Sequence, residues 1–200
     1  MPEHYFSIKP SSRKLEKQIQ VTLRETSFTF ITSSSVFSKD HIDSGTELLI
    51  EKCHIHNVQG SILDLGCGYG PVGIVLKKIY PECNVTCSDI NERAVAVTKK
   101  NAEKNQVEII TVQSNIYDNI DETFDTVLVN LPQNAGKEIC FKMIEGAFEH
   151  LRENGTLQVV SRHQKGGKTY AKKMKEVFGN QKTIARGSGY QIYFSEKIKK

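Results

Sequence analysis

The chain has 200 residues, of which 38% are hydrophobic and 25% charged, with a formal net charge of +4. This mixture can bury a core and is not typical of a disordered chain, and the length suits one domain. No apolar run approaches the ~20 residues that cross a bilayer, and the first residues lack the pattern of a secretion signal. We therefore expect a cytoplasmic protein with a single domain over 1–200, consisting of an extension at 1–35 and a core at 36–200.

The first predicted elements form a β-hairpin. Apolar and polar residues alternate over 18–24 and largely again over 28–32, and residues 25–27 lie between these two strands. A short helix is predicted over 43–53, with Asp43 or Ser44 as its N-cap.

From Ser61 onward, predicted strands and helices alternate. This alternation predicts an α/β fold of the Rossmann-like type, with a mostly parallel sheet of seven strands and helices on both faces. The predicted strands are 61–65, 84–88, 107–112, 124–129, 156–161, 183–185 and 190–194, and the predicted helices are 71–80, 91–105, 136–152 and 169–178.

The strongest functional signal is a glycine-rich turn between a predicted strand and a predicted helix, Asp64-Leu65-Gly66-Cys67-Gly68-Tyr69-Gly70. Glycines permit a tight turn and let a ligand approach the backbone, and the helix N-terminus adds free N–H donors. An acid ahead of the glycines would repel a pyrophosphate but can pair with an ammonium group. The turn therefore favours S-adenosylmethionine over a nicotinamide dinucleotide, and a purely structural turn is the alternative.

Two further strand ends carry polar side chains that suit a nucleoside. Asp89 ends the second strand of the series, where a carboxylate can accept hydrogen bonds from both ribose hydroxyls. The alternative for Asp89 is a helix N-cap ahead of Asn91. Asn115 follows the third strand, and its amide can pair with an adenine amino group and ring nitrogen. A simple turn residue is an equal alternative for Asn115.

The residues after the fourth strand carry a resemblance to class I methyltransferases. Asn130-Leu131-Pro132-Gln133 is similar to the Asn-Pro-Pro-aromatic signature that those enzymes use for exocyclic amino nitrogens. The stretches Val36-Phe37-Ser38, 43–49 and Asn134-Ala135-Gly136-Lys137 resemble the methyltransferase small domain family, which includes bacterial guanine-N2 ribosomal RNA methyltransferases. The resemblance spans residues 18–195.

The resemblance implies S-adenosylmethionine as cofactor, ribosomal RNA as partner and guanine N2 as the methylated atom. It implies that the catalytic residues are Asn130, Leu131 and Pro132. An aromatic amino nitrogen needs acceptors that orient it toward the methyl group, and the Asn130 side-chain oxygen and the Leu131 carbonyl suit that role. The implied cofactor-binding residues are Phe37, Ser38, Asp64, Gly66, Cys67, Gly68, Gly70, Asp89, Ile90, Asn115, Ile116 and Asn130.

Three residues depart from the family pattern. Leu131 stands where the family has proline, Gln133 where an apolar or aromatic residue is common, and Asn115 where an acid is usual. Proline would hold φ at about −65°, and Gln133 cannot stack on a base. Two alternatives stay open. One is methylation of a glutamine amide in a protein, which shares the Asn-Pro-Pro chemistry. The three departures point to the other, an RNA-binding ribosome-assembly module with weak or no activity.

Basic residues crowd two parts of the chain, where they can neutralise phosphates, and a solvated lysine-rich surface is the alternative. These residues are Lys9, Arg13, Lys14, Lys17 and Arg24, and then Lys165, Lys168, Lys172, Lys173, Lys175 and Lys182. The five cysteines are scattered, as reduced cytosolic thiols are. We predict no metal site, because the spacing in Cys53-His54-Ile55-His56 is too tight for the usual zinc pairs.

Overall fold

The computed structural model of the chain describes residues 16–33, 41–132 and 135–198. The strands are β1 (Glu16–Leu23), β2 (Thr26–Ser33), β3 (Ser61–Leu65), β4 (Asn84–Asp89), β5 (Ile110–Gln113), β6 (Phe124–Asn130), β7 (Leu151–Arg162), β8 (Lys182–Gly187) and β9 (Tyr190–Glu196). The helices are α1 (Ser44–Lys52), α2 (Pro71–Ile79), α3 (Glu92–Lys104), α4 (Lys137–His150) and α5 (Lys168–Phe178). An irregular turn at His163–Gly167 joins β7 to α5.

The main sheet has seven strands in the order β5-β4-β3-β6-β7-β9-β8. Among the described strands of this sheet, β9 alone runs against the others. The chain leaves β3 toward β4 and β5 and then crosses back to β6, so the strand order reverses between β3 and β6. Ligands of such sheets bind at that reversal, outside the carboxyl ends of the strands. The predicted class I methyltransferase architecture is confirmed.

Side-chain alternation along the strands divides the core in two, one part on each sheet face. Ile62 and Leu128 point toward α1, α2 and α3, whereas their neighbours Leu63 and Val127 point toward α4 and α5. This period of two is the expected pattern for a sheet that is covered on both faces.

The β1–β2 hairpin packs on α3 through two asparagines spaced one helical turn apart. Asn101 accepts the Ile31 N–H at 2.7 Å and donates to the Ile31 carbonyl at 3.0 Å. Asn105 makes the same pair of bonds with Thr29, at 3.0 and 2.9 Å. These side chains satisfy backbone groups along the open edge of β2, which would otherwise be a pairing hazard. The hairpin is therefore bonded to the core by more than apolar contact.

Arg24, in the hairpin turn, has a structural role. Its guanidinium donates to the carbonyls of Ile50 and Cys53, at 2.7 and 3.1 Å, and to the Tyr80 hydroxyl at 2.8 Å. A cation at the carboxyl end of α1 also complements the helix dipole. The contacts of Arg24 with α1 and Tyr80 favour this structural role over the phosphate contact that the sequence suggested.

Most predicted elements lie within a few residues of the observed ones, with β7 the main exception. It begins at Leu151, five residues before the predicted strand, because Leu151 pairs with Phe124 ahead of an irregularity in the ladder. All five cysteines are buried free thiols. No helix in the described ranges is long and apolar enough to cross a membrane.

Candidate active site

The glycine turn after β3 has the conformation that its sequence predicts. Gly66, Gly68 and Gly70 have φ values of 74°, 62° and 83°, a region that favours glycine. The amides of Gly66 and Cys67 both donate to the Ser88 carbonyl at 2.8 Å, which ties the turn to β4. Gly66 is exposed, so the turn presents open backbone at the point where the strand order reverses.

Asp64 lies beneath this turn and faces the protein interior. It is 3% exposed, and its Oδ2 accepts the Gly73 N–H of α2 at 3.0 Å. Burial raises the pKa of Asp64 to about 7, the Gly73 bond opposes that rise, and repulsion by Asp89 adds to it. The bonded oxygen points at a helix amide, and the expected ammonium contact of Asp64 stays a prediction. Asp64 supports the turn from below.

Asp89 connects the glycine turn to the start of α3. Its Oδ2 accepts the Gly68 N–H and its Oδ1 accepts the Asn91 N–H, both at 2.9 Å. The N-cap of α3 is Asn91, whose side chain accepts the Arg93 N–H at 3.0 Å, so Asp89 is not the cap. Ile90, the next residue, is half-buried.

The loop after β5 brings an acid to the position where the sequence lacks one. Asn115 donates to Asp118 Oδ2 at 2.9 Å, and both residues are exposed. Ile116 between them has a φ of 54°, which is unusual for a β-branched residue and marks local strain. The sequence analysis did not identify Asp118, because it lies three residues after Asn115, the position where the family has an acid, and no motif marks it.

The amide of Asn130 is oriented by two residues at the start of α1. Its Nδ2 donates to the Thr46 hydroxyl at 2.9 Å and lies 3.3 Å from Asp43 Oδ1. The Thr46 hydroxyl donates in turn to Asp43, which also caps α1. A carboxylate can only accept, so the nitrogen of Asn130 must face Asp43. Among the described residues none donates to the Asn130 oxygen, which is the atom left to accept.

The two residues after Asn130 are held by backbone and core contacts. Leu131 is 3% exposed, its N–H donates to the Val160 carbonyl at 3.1 Å, and its side chain joins the core under α4. The Pro132 carbonyl accepts the Ala135 N–H at 3.3 Å. Leucine at the second motif position is thus a buried anchor. Gln133 lies outside the described residues, as do Phe37 and Ser38.

A second pair that the sequence analysis missed lies at the end of β7, one strand from Asn130. Arg162 is exposed, its Nε donates to the Tyr190 hydroxyl at 3.1 Å, and its guanidinium lies 5.2 Å from the centre of that ring. The bond to Tyr190 raises the pKa of Arg162, and the charge of Asp43 contributes. A Cβ at Gly45 would be 2.7 Å from the Tyr190 ring, so the glycine permits this packing. The position of Arg162 at the end of β7, the strand beside β6, was the available signal.

No group of three or more histidine, cysteine, aspartate or glutamate side chains in the described ranges could hold a metal ion. The polar groups of the site instead belong to the carboxyl ends of four neighbouring strands: Gly66 after β3, Asp89 on β4, Asn115 after β5 and Asn130 on β6. This sheet with these strand ends defines a class I methyltransferase. The family model of the methyltransferase small domain matches residues 27–194, and the chain belongs to that family.

Relatives of known sequence fall into two groups by length. The chain is 36% identical to the uncharacterized protein YbxB of Bacillus subtilis, over 99% of this chain and 100% of that protein. It is 32% identical to ribosomal RNA small subunit methyltransferase C of Photorhabdus laumondii, over 83% of this chain and 49% of that protein. The chain thus spans about half the length of the ribosomal RNA methyltransferases that it matches.

Solved structures support the fold. A Thermus thermophilus 16S rRNA N2 methyltransferase (RsmC), in complex with AdoMet and guanosine, superposes with a TM-score of 0.81 at 22% identity, over 94% of this chain and 52% of that one. A methyltransferase from Pyrococcus furiosus gives a TM-score of 0.62 at 22% identity, over 70% of this chain and 76% of that one.

The cofactor of this family is S-adenosylmethionine, and the residues present fit it. The exposed backbone of Gly66 offers room for an amino-acid moiety, since a Cβ there would meet no atom closer than 3.6 Å. Asp89 offers a carboxylate aligned by two backbone amides, and the Asn115–Asp118 pair offers acceptors to an adenine amino group. The polar side chains of the site are acids and amides, whose oxygens can accept hydrogen bonds from a cationic nucleoside.

Proposed function

We propose that the chain transfers a methyl group from S-adenosylmethionine to N2 of a guanine in ribosomal RNA. One observation carries this proposal. Asn130 has its amide nitrogen committed to Thr46 and Asp43, and its oxygen is available at the carboxyl edge of the sheet. An amino group that is to be methylated needs such an acceptor, held rigidly beside the cofactor site.

The chemistry assigned to Asn130 is orientation and charge stabilisation. An exocyclic amino nitrogen is a weak nucleophile, because its lone pair is delocalised into the ring. The Asn130 oxygen and the Leu131 carbonyl would accept its two hydrogens and turn the lone pair toward the methyl donor. As the N–C bond formed and the S–C bond to the sulfonium broke, the nitrogen would become positive, and the nearby Asp43 carboxylate would favour that charge. The extra proton leaves for solvent afterwards, since a methylated aromatic ammonium is acidic.

The cofactor would lie across the ends of β3, β4 and β5. Asp89 would accept hydrogen bonds from the ribose hydroxyls, the Gly66 backbone would line the amino-acid end, and Asn115 with Asp118 would face the adenine. S-adenosylmethionine, when bound, supplies an electrophilic methyl group on a sulfonium. Asp64 would act below the turn by holding α2 through Gly73.

Ribosomal RNA is proposed as the substrate on two grounds. Several relatives near 30% identity are named ribosomal RNA small subunit methyltransferase C, and the Thermus thermophilus neighbour was solved with guanosine. A base in folded RNA must be unpaired or flipped out to reach Asn130. Arg162, which is exposed beside the site, would contact a phosphate of such a nucleotide.

The test is methyl transfer from isotope-labelled S-adenosylmethionine. Purified protein is incubated with ribosomal RNA, small ribosomal subunits and total ribosomal protein from cells that lack the gene. We expect label in N2-methylguanosine by nucleoside mass spectrometry, and loss of that label with Asn130→Ala. Label in a glutamine of a protein would replace this proposal with the protein-methylation alternative. Tight RNA binding with no transfer to any substrate would instead favour the assembly-module alternative.

A further inference from the structure

A basic groove of about 450 Å³ lies between α4 and α5, on the sheet face opposite α1. Four lysines wall it, one from α4 and three from α5, together with the half-buried ring of Phe141 and a single acid, Glu176, among the described lining residues. The lysines are Lys137, Lys168, Lys172 and Lys173. The groove thus gathers only half of the C-terminal lysine cluster seen in the sequence and adds Lys137, which lies outside that cluster.

The positive charge of this groove is poorly neutralised. Among the described residues, neither Lys137 nor Lys168 forms an ion pair, and both are exposed. Lys172 lies 3.9 Å from Glu176, and both side chains are more than half exposed, so solvent screens that pair. Lys173 contacts Glu145. A net positive field therefore faces whatever occupies the groove.

The ammonium groups are also held in place. Lys137 and Lys173 both lie 5.1 Å from the centre of the Phe141 ring, a cation–π distance. Lys137 and Lys168 are the first residues of their helices. A cation at a helix N-terminus opposes the helix dipole, so helix stability does not account for either lysine. Their charge is better explained by an anionic ligand.

The groove opens beside the acceptor site. α4 begins seven residues after Asn130, and the Cys140 thiol on its first turn lies 3.7 Å from the Pro132 carbonyl. α5 follows the end of β7, the strand next to β6. Both helices therefore start at the edge of the sheet where Asn130 ends β6.

We propose that this groove binds the phosphodiester backbone of the RNA that flanks the methylated guanine. The inference rests on the proposed function, because it assigns RNA to the groove. A nucleotide flipped toward Asn130 remains joined to phosphates on both sides, and lysines near the site can hold them without reading sequence. Phe141 positions two of the ammonium groups.

The test is RNA binding by a charge-removing double variant and a matched control. Lys137→Gln with Lys168→Gln removes two groove charges that make no ion pair among the described residues. Lys99→Gln with Lys104→Gln removes two exposed charges from α3, on the opposite sheet face. The Kd for deproteinised small-subunit ribosomal RNA is measured over a salt series for wild type and both variants. S-adenosylmethionine affinity and melting temperature confirm that each variant is folded.

We expect the groove variant to weaken RNA binding about tenfold and to lower the slope of log Kd against log salt by about 1.4, the value for two phosphate contacts on a single strand. The α3 variant should bind as wild type does. Equal effects of the two variants, no effect of either, or wild-type protein that binds no RNA would overturn the inference. Groove-dependent binding without methyl transfer would leave the groove assigned and refute the proposed function. RNA binding that is unchanged in the groove variant, together with intact methyl transfer, would refute the groove assignment and leave the proposed function standing.

Discussion

At the β3–β4 half of the carboxyl edge, the acids are buried and accept hydrogen bonds from backbone amides. Asp64 is bonded to Gly73 and Asp89 to Gly68 and Asn91. At the β6–β7 half, the polar side chains bond mainly to one another, and they range from the buried Thr46 and Tyr190 to the exposed Arg162. There Asn130 donates to Thr46 and Asp43, and Arg162 donates to Tyr190.

The difference separates two ways of building a site. In the first half, carboxylates shape a backbone turn, and every partner lies within 25 residues of the glycines. In the second half, α1, β6, β7 and β9 each contribute a side chain, and residues 43 and 130 meet only in the folded chain. A turn held by its own backbone should tolerate few substitutions, whereas a side-chain network can be altered one interaction at a time.

Asp64→Asn is the substitution with the largest expected effect, which is on the free energy of unfolding. It tests the β3–β4 half, where the acids are buried. The folded pKa of about 7 lies above the ordinary value of 3.8, so the folded state holds this proton more tightly than the unfolded state. The stability from the protonated group is full below about pH 4 and is lost as the pH rises through 7. Each pKa unit corresponds to about 1.4 kcal/mol, so the protonated group contributes several kcal/mol to the free energy of unfolding.

Denaturant unfolding between pH 4 and pH 8 measures this slope. We expect Asp64→Asn to flatten it, because asparagine can still accept the Gly73 N–H but does not titrate. Bound S-adenosylmethionine, a cation, should lower the pKa of Asp64 and so release protons on binding near neutral pH. The same pH slope in wild type and variant would show that Asp64 is ionised throughout.

Asp89→Ala tests the cofactor role assigned to the same half. Loss of a carboxylate that accepts from the ribose should weaken S-adenosylmethionine binding by roughly 2–4 kcal/mol. Calorimetry gives the affinity, and Asn91→Ala is the matched control, because it removes the side chain that caps α3 and leaves the Asp89 carboxylate in place. An unchanged cofactor affinity in Asp89→Ala would limit Asp89 to holding Gly68 and α3 together.

The buried half was largely predictable from the sequence. Strand alternation, the glycine turn and Asp89 all lie in local patterns that the structure reproduces. The orientation of Asp64 was not predictable, because the motif gives its position but not which way the carboxylate points. The Gly73 amide decides that, and it becomes a partner only once α2 packs on β3.

In the β6–β7 half, which contains the proposed acceptor, only Asn130 was predictable from the sequence. Asp43 was one of two candidate N-caps of α1, and nothing in its local sequence places it beside residue 130. Arg162 and Tyr190 carry no motif and meet through the β7–β9 pairing. The role of Arg24 was not predictable for the same reason, since the sequence around a lone arginine in a turn does not show which helix end it caps.

Asn130→Ala tests the acceptor role. We expect turnover to fall by at least ~10²-fold, the scale for losing one positioned hydrogen-bonding group, with cofactor affinity nearly intact. Asn130→Asp should be about as severe, because it sets a second carboxylate against Asp43 and removes the donor to Thr46. Single-turnover methylation of RNA measures both. Full activity in Asn130→Ala would remove the catalytic role.

Asp43→Asn has the smallest expected effect and tests the charge beside Asn130 in the β6–β7 half. Asparagine caps helices as well as aspartate does, so α1 should stay intact. Its side-chain oxygen can still accept from Asn130, whereas the negative charge and the second oxygen, which accepts from the Thr46 hydroxyl, are lost. Because charged hydrogen bonds are about twice as strong as neutral ones, we expect kcat to fall roughly tenfold, with KM and cofactor affinity unchanged.

Thr46→Ser, which keeps the hydroxyl, should retain wild-type kcat and serves as the control. A wild-type kcat in Asp43→Asn would mean that Asp43 acts on this site only as a helix cap, whereas an increase in KM at constant kcat would place it in RNA binding.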